Sequence, residues 1–316
     1  MSLPPRQAKH AAYSSDNELV RVTLPGLIRL SQAASALRLG RSDIRSAQSG
    51  NYFSRFKGRG MEFDETRPYA QGDDIRHLDW RVTARTGKTH TKLFREERER
   101  PIYICVDARS AMFFATRGRF KSVQAANMAA LVAWHALRHG DRIGGQVFTE
   151  TSTQEFKPEH GRGAVLRFLQ HLADLESPKH YPARDQGFDE ILARLIRHAR
   201  PGSLVFIFSD FRQLSPQGES SLIRLSRHCD LALVFISDPL ERSLPSSGHY
   251  RFGDGLRELS LTASAEAARM HAQQFEQRLQ NLSNLARQHR LRLISCCTTD
   301  DPLTRLQQVG RKATQR

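Results

Sequence analysis

Four apolar segments of the 316-residue chain each end in aspartate. They read ICVD, ending at Asp107, IFSD, ending at Asp210, FISD, ending at Asp238, and ISCCTTDD, ending at Asp300 and Asp301. In open α/β sheets, ligands bind outside the carboxyl ends of the strands, and Mg²⁺ prefers oxygen ligands such as carboxylates. The set therefore suits a magnesium site, although each aspartate taken alone also suits a helix cap or a turn.

A second group of carboxylates lies in the stretch RPYAQGDDIRHLDWRVTARTGKTHTKLFREERER, residues 67–100. Catalysis there would require Asp73, Asp74 and Asp79 to converge on a metal ion or a water molecule. Their closest charged neighbours are Arg67, Arg76, Arg81 and Arg85. Guanidinium groups pair bidentately with carboxylates, so we predict a rigid, salt-bridged segment that presents a partner surface, with Trp80 as a buried anchor.

The elements around these residues alternate between apolar runs and helical patterns. We predict strands at 101–108, 141–149, 153–159, 203–211, 231–239 and 291–297. We predict helices at 27–40, 120–140, 161–175, 188–199, 219–230 and 264–290. Strands that alternate with helices favour a mostly parallel central sheet with helices on both faces, a Rossmann-like α/β fold. That fold would bring Asp107 and Asp210 together at the carboxyl edge of the sheet.

Familiar catalytic motifs are absent from the sequence. The TGKT at residues 86–89 lacks the first glycine of a phosphate-binding loop, since Val82 stands in its place. His135 and His139 have the spacing of zinc ligands on a helix, but Ala136 replaces the glutamate of H-E-x-x-H. No G-x-G-x-x-G follows a predicted strand, and no G-x-S-x-G occurs, which argues against dinucleotide binding and serine hydrolysis.

The composition indicates which binding partners and which cellular compartment suit the protein. The formal net charge is +15, which suits an acidic partner, but the positive excess is spread along the chain rather than gathered in one stripe. Nucleic acid is therefore the less favoured partner, although the charge leaves it open. The four cysteines form no C-x-x-C pair, as expected for reduced thiols. No signal peptide or membrane span is evident, so we expect a cytoplasmic protein.

The segment GRGMEFDETRPYAQGDDIRHLDWRVTARTGKTHTKLFREERERPIYICVDARSAM resembles the signature of the bacterial family called domain of unknown function 58. In that family a block R-x-Y-x-x-G-D-D-x-R-x-x-D-W-x-x-x-A-R precedes K-x-x-x-x-E and a strand that ends in aspartate. The resemblance extends over roughly residues 27–300. The matching positions are Arg67, Tyr69, Gly72, Asp73, Asp74, Arg76, Asp79, Trp80, Arg85, Lys92 and Glu97.

The resemblance implies a von Willebrand factor type A-like fold and a role beside MoxR-type AAA+ ATPases in chaperone-like assembly or maturation of other proteins. Other von Willebrand factor type A proteins are further expected partners. On this basis we divide the chain into a flexible N-terminus, a charged extension packed on the main domain, the type A-like domain and a C-terminal tail. The corresponding ranges are 1–24, 25–100, 101–300 and 301–316.

Type A domains often bind Mg²⁺ through a D-x-S-x-S element, a threonine in a second loop and an aspartate in a third. The resemblance places Asp107, Arg109 and Ala111 on the first element and Asp210 on the third, so two serine ligands are replaced. The second loop, around EHGRGAV, offers no threonine. We expect a degenerate site in which Arg109 pairs with Asp107 or Asp210 without metal. The expected function is a non-enzymatic adaptor with no cofactor, and the alternative is a magnesium-dependent hydrolase or nuclease.

Overall fold

The structure is a computed structural model, and it describes residues 18–39, 61–71, 73–96, 100–175, 187–245, 247–253, 258–262 and 264–311. The helices are α1 (Leu24–Ala33), α2 (Trp80–Thr86), α3 (Lys121–Arg138), α4 (Arg162–Ala173), α5 (Phe188–His198), α6 (Pro216–Ser226), α7 (Pro239–Arg242), α8 (Ala265–Gln288) and α9 (Pro302–Arg311). The strands are β1 (Met61–Pro68), β2 (His90–Glu96), β3 (Ile102–Asp107), β4 (Ile143–Phe148), β5 (Thr153–Glu159), β6 (Leu204–Ser209), β7 (Asp230–Ser237), β8 (His249–Gly253), β9 (Glu258–Thr262) and β10 (Arg292–Cys297).

The chain divides into two compact units. The larger unit, residues 1–43 and 100–316, contains a six-stranded sheet in the order β10-β7-β6-β3-β4-β5. The first five strands are parallel, and β5 pairs antiparallel with β4 at one edge. The mostly parallel sheet predicted from the alternating pattern is confirmed. β8 and β9 form a separate two-stranded hairpin.

The central strands are buried on both faces because helices cover both sides of the sheet. Along β3, Ile102, Ile104 and Val106 belong to one hydrophobic cluster. Tyr103 and Cys105 belong to a second cluster with residues of α5, α6 and α8. Successive side chains of a strand point to opposite faces, so a continuous apolar run is what a sheet with two covered faces requires.

The N-terminal part of the larger unit corrects the predicted domain boundary. Thr23 caps α1, and Val22 and Leu27 are buried. The indole N–H of Trp134 in α3 donates to the carbonyl of Leu27 at 2.9 Å. Residues 18 to 37 therefore belong to the larger unit, whereas the predicted boundary at residue 24 divides them between a flexible N-terminus and an extension packed on the main domain.

The C-terminal boundary is also corrected, because residues 302–311 form helix α9 rather than a tail. Leu306 of α9 is fully buried in the first hydrophobic cluster. Within the described ranges, none of the helices combines the length and apolar character needed to cross a lipid bilayer.

The smaller unit spans Ile44–Glu99. Its described part is an antiparallel hairpin of β1 and β2 joined by a short 3-10 helix, Ile75–His77, and by α2. Gly87 ends α2 with a φ of 70°, a left-handed conformation that glycine adopts without a steric penalty. The sequence pattern predicts no helix or strand with defined bounds in this region.

Candidate functional site

The carboxyl end of β3 carries a buried ion pair between Asp107 and Arg109. The Arg109 Nε donates to Asp107 Oδ1 at 3.0 Å, and a terminal guanidinium nitrogen donates to Oδ2 at 2.8 Å. The backbone N–H of Arg109 also donates to Oδ1 at 3.0 Å. The chain therefore turns immediately after the strand and returns the guanidinium onto the strand-end carboxylate as a bidentate pair.

Aromatic rings and loop oxygens hold the Arg109 side chain in this position. Its guanidinium lies over the rings of Phe148 and Phe188, with the guanidinium carbon 5.7 and 5.1 Å from their centroids. Its terminal nitrogens also donate to the side-chain oxygen of Gln213 at 3.2 Å and to the carbonyl of Arg212 at 3.3 Å. Cation–π contact strengthens where water is excluded, so Arg109 is an ordered internal cation rather than a surface charge.

Asp107 has no free oxygen for another ligand. The Ser209 hydroxyl donates to Asp107 Oδ2 at 2.6 Å, in addition to the donors from Arg109. Burial raises the pKa of Asp107, while the charge of Arg109 and these hydrogen bonds oppose the shift. Pairing and hydrogen bonding of both oxygens offset the cost of burying a carboxylate.

Asp210, just beyond β6, joins the same cluster. One terminal nitrogen of Arg109 lies 2.8 Å from Asp107 and 4.0 Å from Asp210 Oδ1, which confirms that the two carboxylates lie close together. The Lys121 ammonium donates to Asp210 Oδ2 at 2.9 Å, and the Arg212 N–H donates to Oδ1 at 3.1 Å. Burial alone would raise the pKa of Asp210, but the Lys121 charge and these hydrogen bonds hold it below its ordinary value.

Lys121 is the cation that the sequence reading missed. It is the first residue of α3, and its side chain is fully buried. The ammonium also donates to Glu241 Oε1 at 2.7 Å. Glu241 is shared with Arg212, whose terminal nitrogen donates to the same oxygen at 2.7 Å. The strand-end cluster, defined here as Asp107, Arg109, Lys121, Asp210, Arg212 and Glu241, contains equal numbers of acidic and basic side chains.

Asp238, at the end of β7, connects neighbouring segments by hydrogen bonds. It accepts hydrogen bonds from the hydroxyl of Thr116 at 2.5 Å, from the hydroxyl of Thr298 at 3.0 Å and from the N–H of Leu240 at 2.9 Å. Burial opposes ionisation, but these donors lower the pKa of Asp238 below its ordinary value. The carboxylate thus caps α7 and ties the end of β7 to two neighbouring loops.

The aspartates after β10 likewise cap a helix. Asp300 accepts from the N–H of Cys297 at 2.7 Å and forms a bidentate pair with Arg305 at 2.8 and 2.9 Å. Asp301 accepts from the N–H and hydroxyl of Thr304 at 2.8 and 2.7 Å. Of the strand-end aspartates, only Asp107 and Asp210 therefore share a cation in the described residues.

In the smaller unit, the signature aspartates act mainly on the backbone. Asp73 pairs with Arg67 at 2.7 Å and accepts from the Ala70 N–H at 2.9 Å. Asp74 caps the short 3-10 helix. Asp79, which is buried, caps α2 by accepting from the N–H groups of residues 81 and 82 at 3.1 and 3.2 Å. The expected ion-pair network is reduced to one pair within the described part of this unit.

Trp80 contradicts its predicted role as a buried anchor. Its relative exposure is 69%, and that of neighbouring Ile75 is 67%. Trp80 is the first residue of α2, where the Asp79 cap sets the chain direction. The exposed arginines Arg76, Arg81 and Arg85 lie on the same short segment of the smaller unit. Together Ile75, Trp80 and these arginines define the tryptophan surface.

The remaining four positions of the signature are Tyr69, Lys92, Gly72 and Glu97. Tyr69 donates through its N–H to the Thr89 carbonyl at 2.8 Å, which stabilises the hairpin end. Lys92 lies on β2 and is partly exposed. Gly72 and Glu97 lie outside the described residues.

Residues 65–282 match the family described as "Protein of unknown function DUF58". The chain belongs to this family. The match includes both the signature stretch and the strand-end cluster, so these two features are parts of one DUF58 sequence. The family description assigns no activity to either of them.

Relatives of this DUF58 chain include two mycobacterial proteins. It is 28% identical over 219 residues to the uncharacterized protein Rv1480 of Mycobacterium tuberculosis (strain ATCC 25618 / H37Rv), covering 67% of each chain. The same values apply to the uncharacterized protein Mb1516 of Mycobacterium bovis. Both names leave the biochemical role open.

Two solved structures share a distant likeness with the chain. The conserved hypothetical protein BatB from Bacteroides thetaiotaomicron has a TM-score of 0.45 and 11% identity. An aerotolerance-related membrane protein from Bacteroides fragilis has a TM-score of 0.44 and 11% identity. Each likeness covers 69% of this chain and all of the other chain. At this distance the likeness carries no functional argument.

The donor set of this DUF58 protein does not fit a magnesium ion. Both oxygens of Asp107 and of Asp210 already accept hydrogen bonds, and the cations Arg109 and Lys121 are bonded to them. Ser110, a nearby hydroxyl, donates to Glu150 at 2.5 Å, and Ala111 has no ligand atom. Mg²⁺ requires several oxygen ligands in near-octahedral geometry, and positive charges at this position oppose its entry.

Proposed function

We propose that this DUF58 protein is a non-enzymatic adaptor with a von Willebrand factor type A-like fold and a degenerate metal-ion-dependent adhesion site. The observation that carries the proposal is the compensation of Asp107 and Asp210 by two internal cations, Arg109 and Lys121. The parallel sheet with carboxylates at its edge supports the type A-like assignment. In this proposal, the charge that a bound metal would supply comes from the protein itself.

The state of the carboxylates favours binding over hydrolysis. A general base must reach the proton that it removes, directly or through one water molecule. Asp107 and Asp210 are almost fully buried, and their oxygens are already bonded to Arg109, Ser209 and Lys121. Activating water would require one of these bonds to break. A fixed cluster instead suits a surface whose shape stays constant while a partner binds.

The proposed partner is a MoxR-type AAA+ ATPase, with other von Willebrand factor type A proteins as further partners and chaperone-like assembly as the shared activity. The family resemblance motivates this choice. The tryptophan surface supports a binding role, since Trp80 and Ile75 are exposed beside arginines. Tryptophan and arginine are enriched among residues that dominate binding energy in protein interfaces. An ATPase partner also implies a cytoplasmic location, which belongs to the same proposal.

Affinity purification from the native organism tests this function. Tagged wild-type protein is recovered with and without ATP, and partners are identified by mass spectrometry. We expect an AAA+ ATPase with wild type and with the control Val20→Ala, since Val20 is an exposed apolar residue of the larger unit. We expect its loss with Trp80→Ala.

Two outcomes of this purification would contradict the proposal. If no AAA+ ATPase is recovered under either condition, the ATPase partnership is wrong. If Trp80→Ala recovers the ATPase as well as wild type does, the tryptophan surface is not the contact. Melting temperatures of the three proteins show whether a loss reflects unfolding.

A further inference from the structure

A groove in the larger unit lies between α8 and the loop that follows β6. Its volume is about 470 Å³. One wall carries the side chains Met270, Gln274, Gln277 and Asn281 of α8. These positions recur at helical spacing, so they form one stripe along the helix. From Met270 to Asn281 the stripe is about 16 Å long, at 1.5 Å per residue, which matches about five residues of extended chain.

Arg278 lines this groove, and its charge is not neutralised by an ion pair with a described carboxylate. Among the described residues, no acidic oxygen lies within ion-pair distance of its guanidinium, which is half-buried. The acidic groups whose charges act on Arg278, Asp210 and Glu241, are already held by Lys121 and Arg212. Burial lowers the pKa of Arg278, and the nearby charge of Arg212 adds to that effect. A half-buried guanidinium that lacks a partner is poised for an incoming anion.

The opposite wall is a backbone segment in an uncommon conformation. Phe211 and Gln213 have φ values of 50° and 62°, in the left-handed region that non-glycine residues rarely adopt. Such conformations cost energy and concentrate at functional sites. The Gln213 side chain lines the groove and also accepts from Arg109 at 3.2 Å. The strained loop thus joins the groove to the strand-end cluster.

We propose that this groove binds a short acidic segment of a partner protein in extended conformation, with a carboxylate of that segment on Arg278. The inference rests on the proposed adaptor function and adds a binding site to it. Guanidinium groups bind carboxylates through two parallel hydrogen bonds. The amides of Gln273, Gln274 and Asn281 supply both donors and acceptors, as a peptide backbone requires. Leu214 and Leu282 supply apolar contact between these polar groups.

The same groove is poorly suited to nucleic acid. Single-stranded nucleic acids need aromatic side chains on which bases stack and a row of positive charges along the phosphates. The lining includes one aromatic ring, the buried Phe211, and one cation, Arg278.

Fluorescence polarisation tests the proposal on the purified full-length protein. The probe is a fluorescein-labelled peptide of alternating alanine and glutamate, about eight residues long, which spans the groove. The matched peptide carries glutamine in place of glutamate. We expect saturable binding of the glutamate peptide and at least about tenfold weaker binding of the glutamine peptide.

Variants locate the binding. Arg278→Gln is expected to weaken binding of the glutamate peptide about tenfold or more, and Gln274→Trp is expected to block it by filling the groove. Arg269→Gln is the matched control, because Arg269 is exposed on α8 outside the groove lining and its removal changes the net charge equally. We expect this control to bind as wild type does. If Arg278→Gln fails to fold, as judged by circular dichroism, Gln274→Trp still tests the site.

Several results would overturn the assignment. Equal binding of the two peptides would show that the glutamate carboxylates do not contribute to binding. Equal losses from Arg278→Gln and Arg269→Gln would indicate diffuse attraction to a basic protein. Displacement of the peptide by single-stranded DNA in an Arg278-dependent manner would assign the groove to nucleic acid. The assay contains no ATPase, so failure here is distinguishable from failure of the ATPase partnership.

Discussion

Lys121 places a positive charge inside the protein at the sheet edge where strand-end aspartates suggest a divalent cation. Its ammonium bonds Asp210 and Glu241 at 2.9 and 2.7 Å. Burying an ammonium costs several kcal/mol unless partners offset the loss of water. The two carboxylates have the same need, so the three groups stabilise one another. Removing any one of them leaves an uncompensated charge in the interior.

The first prediction concerns Lys121→Met, which keeps a long apolar side chain and removes the charge. We expect a loss of about 3–5 kcal/mol in the free energy of unfolding at neutral pH. In the wild type, Lys121 helps to hold the pKa of Asp210 low. The ion pair therefore contributes to the free energy of unfolding at pH values above the unfolded pKa of Asp210, and this contribution is lost as pH falls through the folded pKa. Urea denaturation measures the loss.

The same variant has a distinctive pH dependence. Without Lys121, the burial of Asp210 is opposed mainly by Arg212, and we expect the folded pKa of Asp210 to rise above its unfolded value. Protonation then favours the folded state, so the difference in unfolding free energy between variant and wild type should shrink as pH falls below the raised folded pKa of Asp210. Lys157→Met is the control, because Lys157 lies on the edge strand β5 and is exposed. A gap that stays constant with pH would contradict the ion-pair account.

The second prediction concerns magnesium. The melting temperature of the wild type should be the same in Mg²⁺ and in a monovalent salt of matched ionic strength, because a ligand stabilises a protein only by binding its folded state. The double variant Arg109→Ser, Ala111→Ser removes one cation and adds two hydroxyl groups. We expect it to melt below wild type and to recover partly in Mg²⁺.

Two outcomes would revise this view of the site. A rise of several degrees for wild type in Mg²⁺ would show that the internal cations are displaced and would favour the magnesium-dependent alternative. A double variant that does not respond to Mg²⁺ would indicate that the remaining charge of Lys121, or the missing second-loop threonine, excludes the ion.

Among the secondary-structure elements, the strands of the central sheet were the most predictable from sequence. Strands β3, β6 and β7 are continuous apolar runs, and a strand covered on both faces must have such a run. The predicted partner strand at 153–159 coincides with β5. Helix α6 begins three residues before its predicted start, at Pro216, because Ser215 caps it through the N–H groups of residues 217 and 218.

Short elements and elements without a long apolar run were missed. The hairpins β1–β2 and β8–β9 show no continuous apolar run, and α2 has only seven residues. Lys121 was missed for a related reason, since a lysine at a helix start ordinarily faces water. Only the fold shows that its ammonium reaches two carboxylates from the ends of other elements. The clustering of Asp107 with Asp210, by contrast, follows from the topology of parallel strands.

The third prediction compares two adjacent residues of α2. Asp79→Ala removes the N-cap and should cost about 1 kcal/mol, whereas Trp80→Ala removes an exposed ring and should change stability by less than about 0.5 kcal/mol. Asp79→Asn retains a capping oxygen and serves as the control. Thermal unfolding followed by circular dichroism gives the order of the three variants.

A larger loss from Trp80→Ala than from Asp79→Ala would contradict the exposed position of the ring. The same proteins serve the co-purification experiment. We expect Asp79→Asn to retain the ATPase and Trp80→Ala to lose it, so the stability and binding effects of the two neighbouring residues should separate.

At the scale of the whole molecule, the chain combines a largely buried, charge-balanced cluster with a strongly basic composition. The net charge is +15, while the strand-end cluster contains three acidic and three basic side chains. The excess therefore lies elsewhere in the chain, and it acts on partners through long-range attraction rather than through the site chemistry. Such attraction weakens as salt rises, because the Debye length is about 8 Å at physiological ionic strength.

The fourth prediction separates this diffuse attraction from a nucleic-acid function. Random-sequence duplex DNA should bind the protein at low salt, and binding should weaken steeply as salt rises to physiological ionic strength, with a Kd there of about 10⁻⁴–10⁻⁶ M, as for non-specific contacts. Mg²⁺ should produce no cleavage, because Asp107 and Asp210 remain bonded to Arg109 and Lys121. The measurements are a filter-binding titration across salt concentrations and a gel assay for cleavage. Tight binding at physiological salt, together with magnesium-dependent cleavage that Asp210→Asn abolishes, would replace the adaptor proposal with a nuclease.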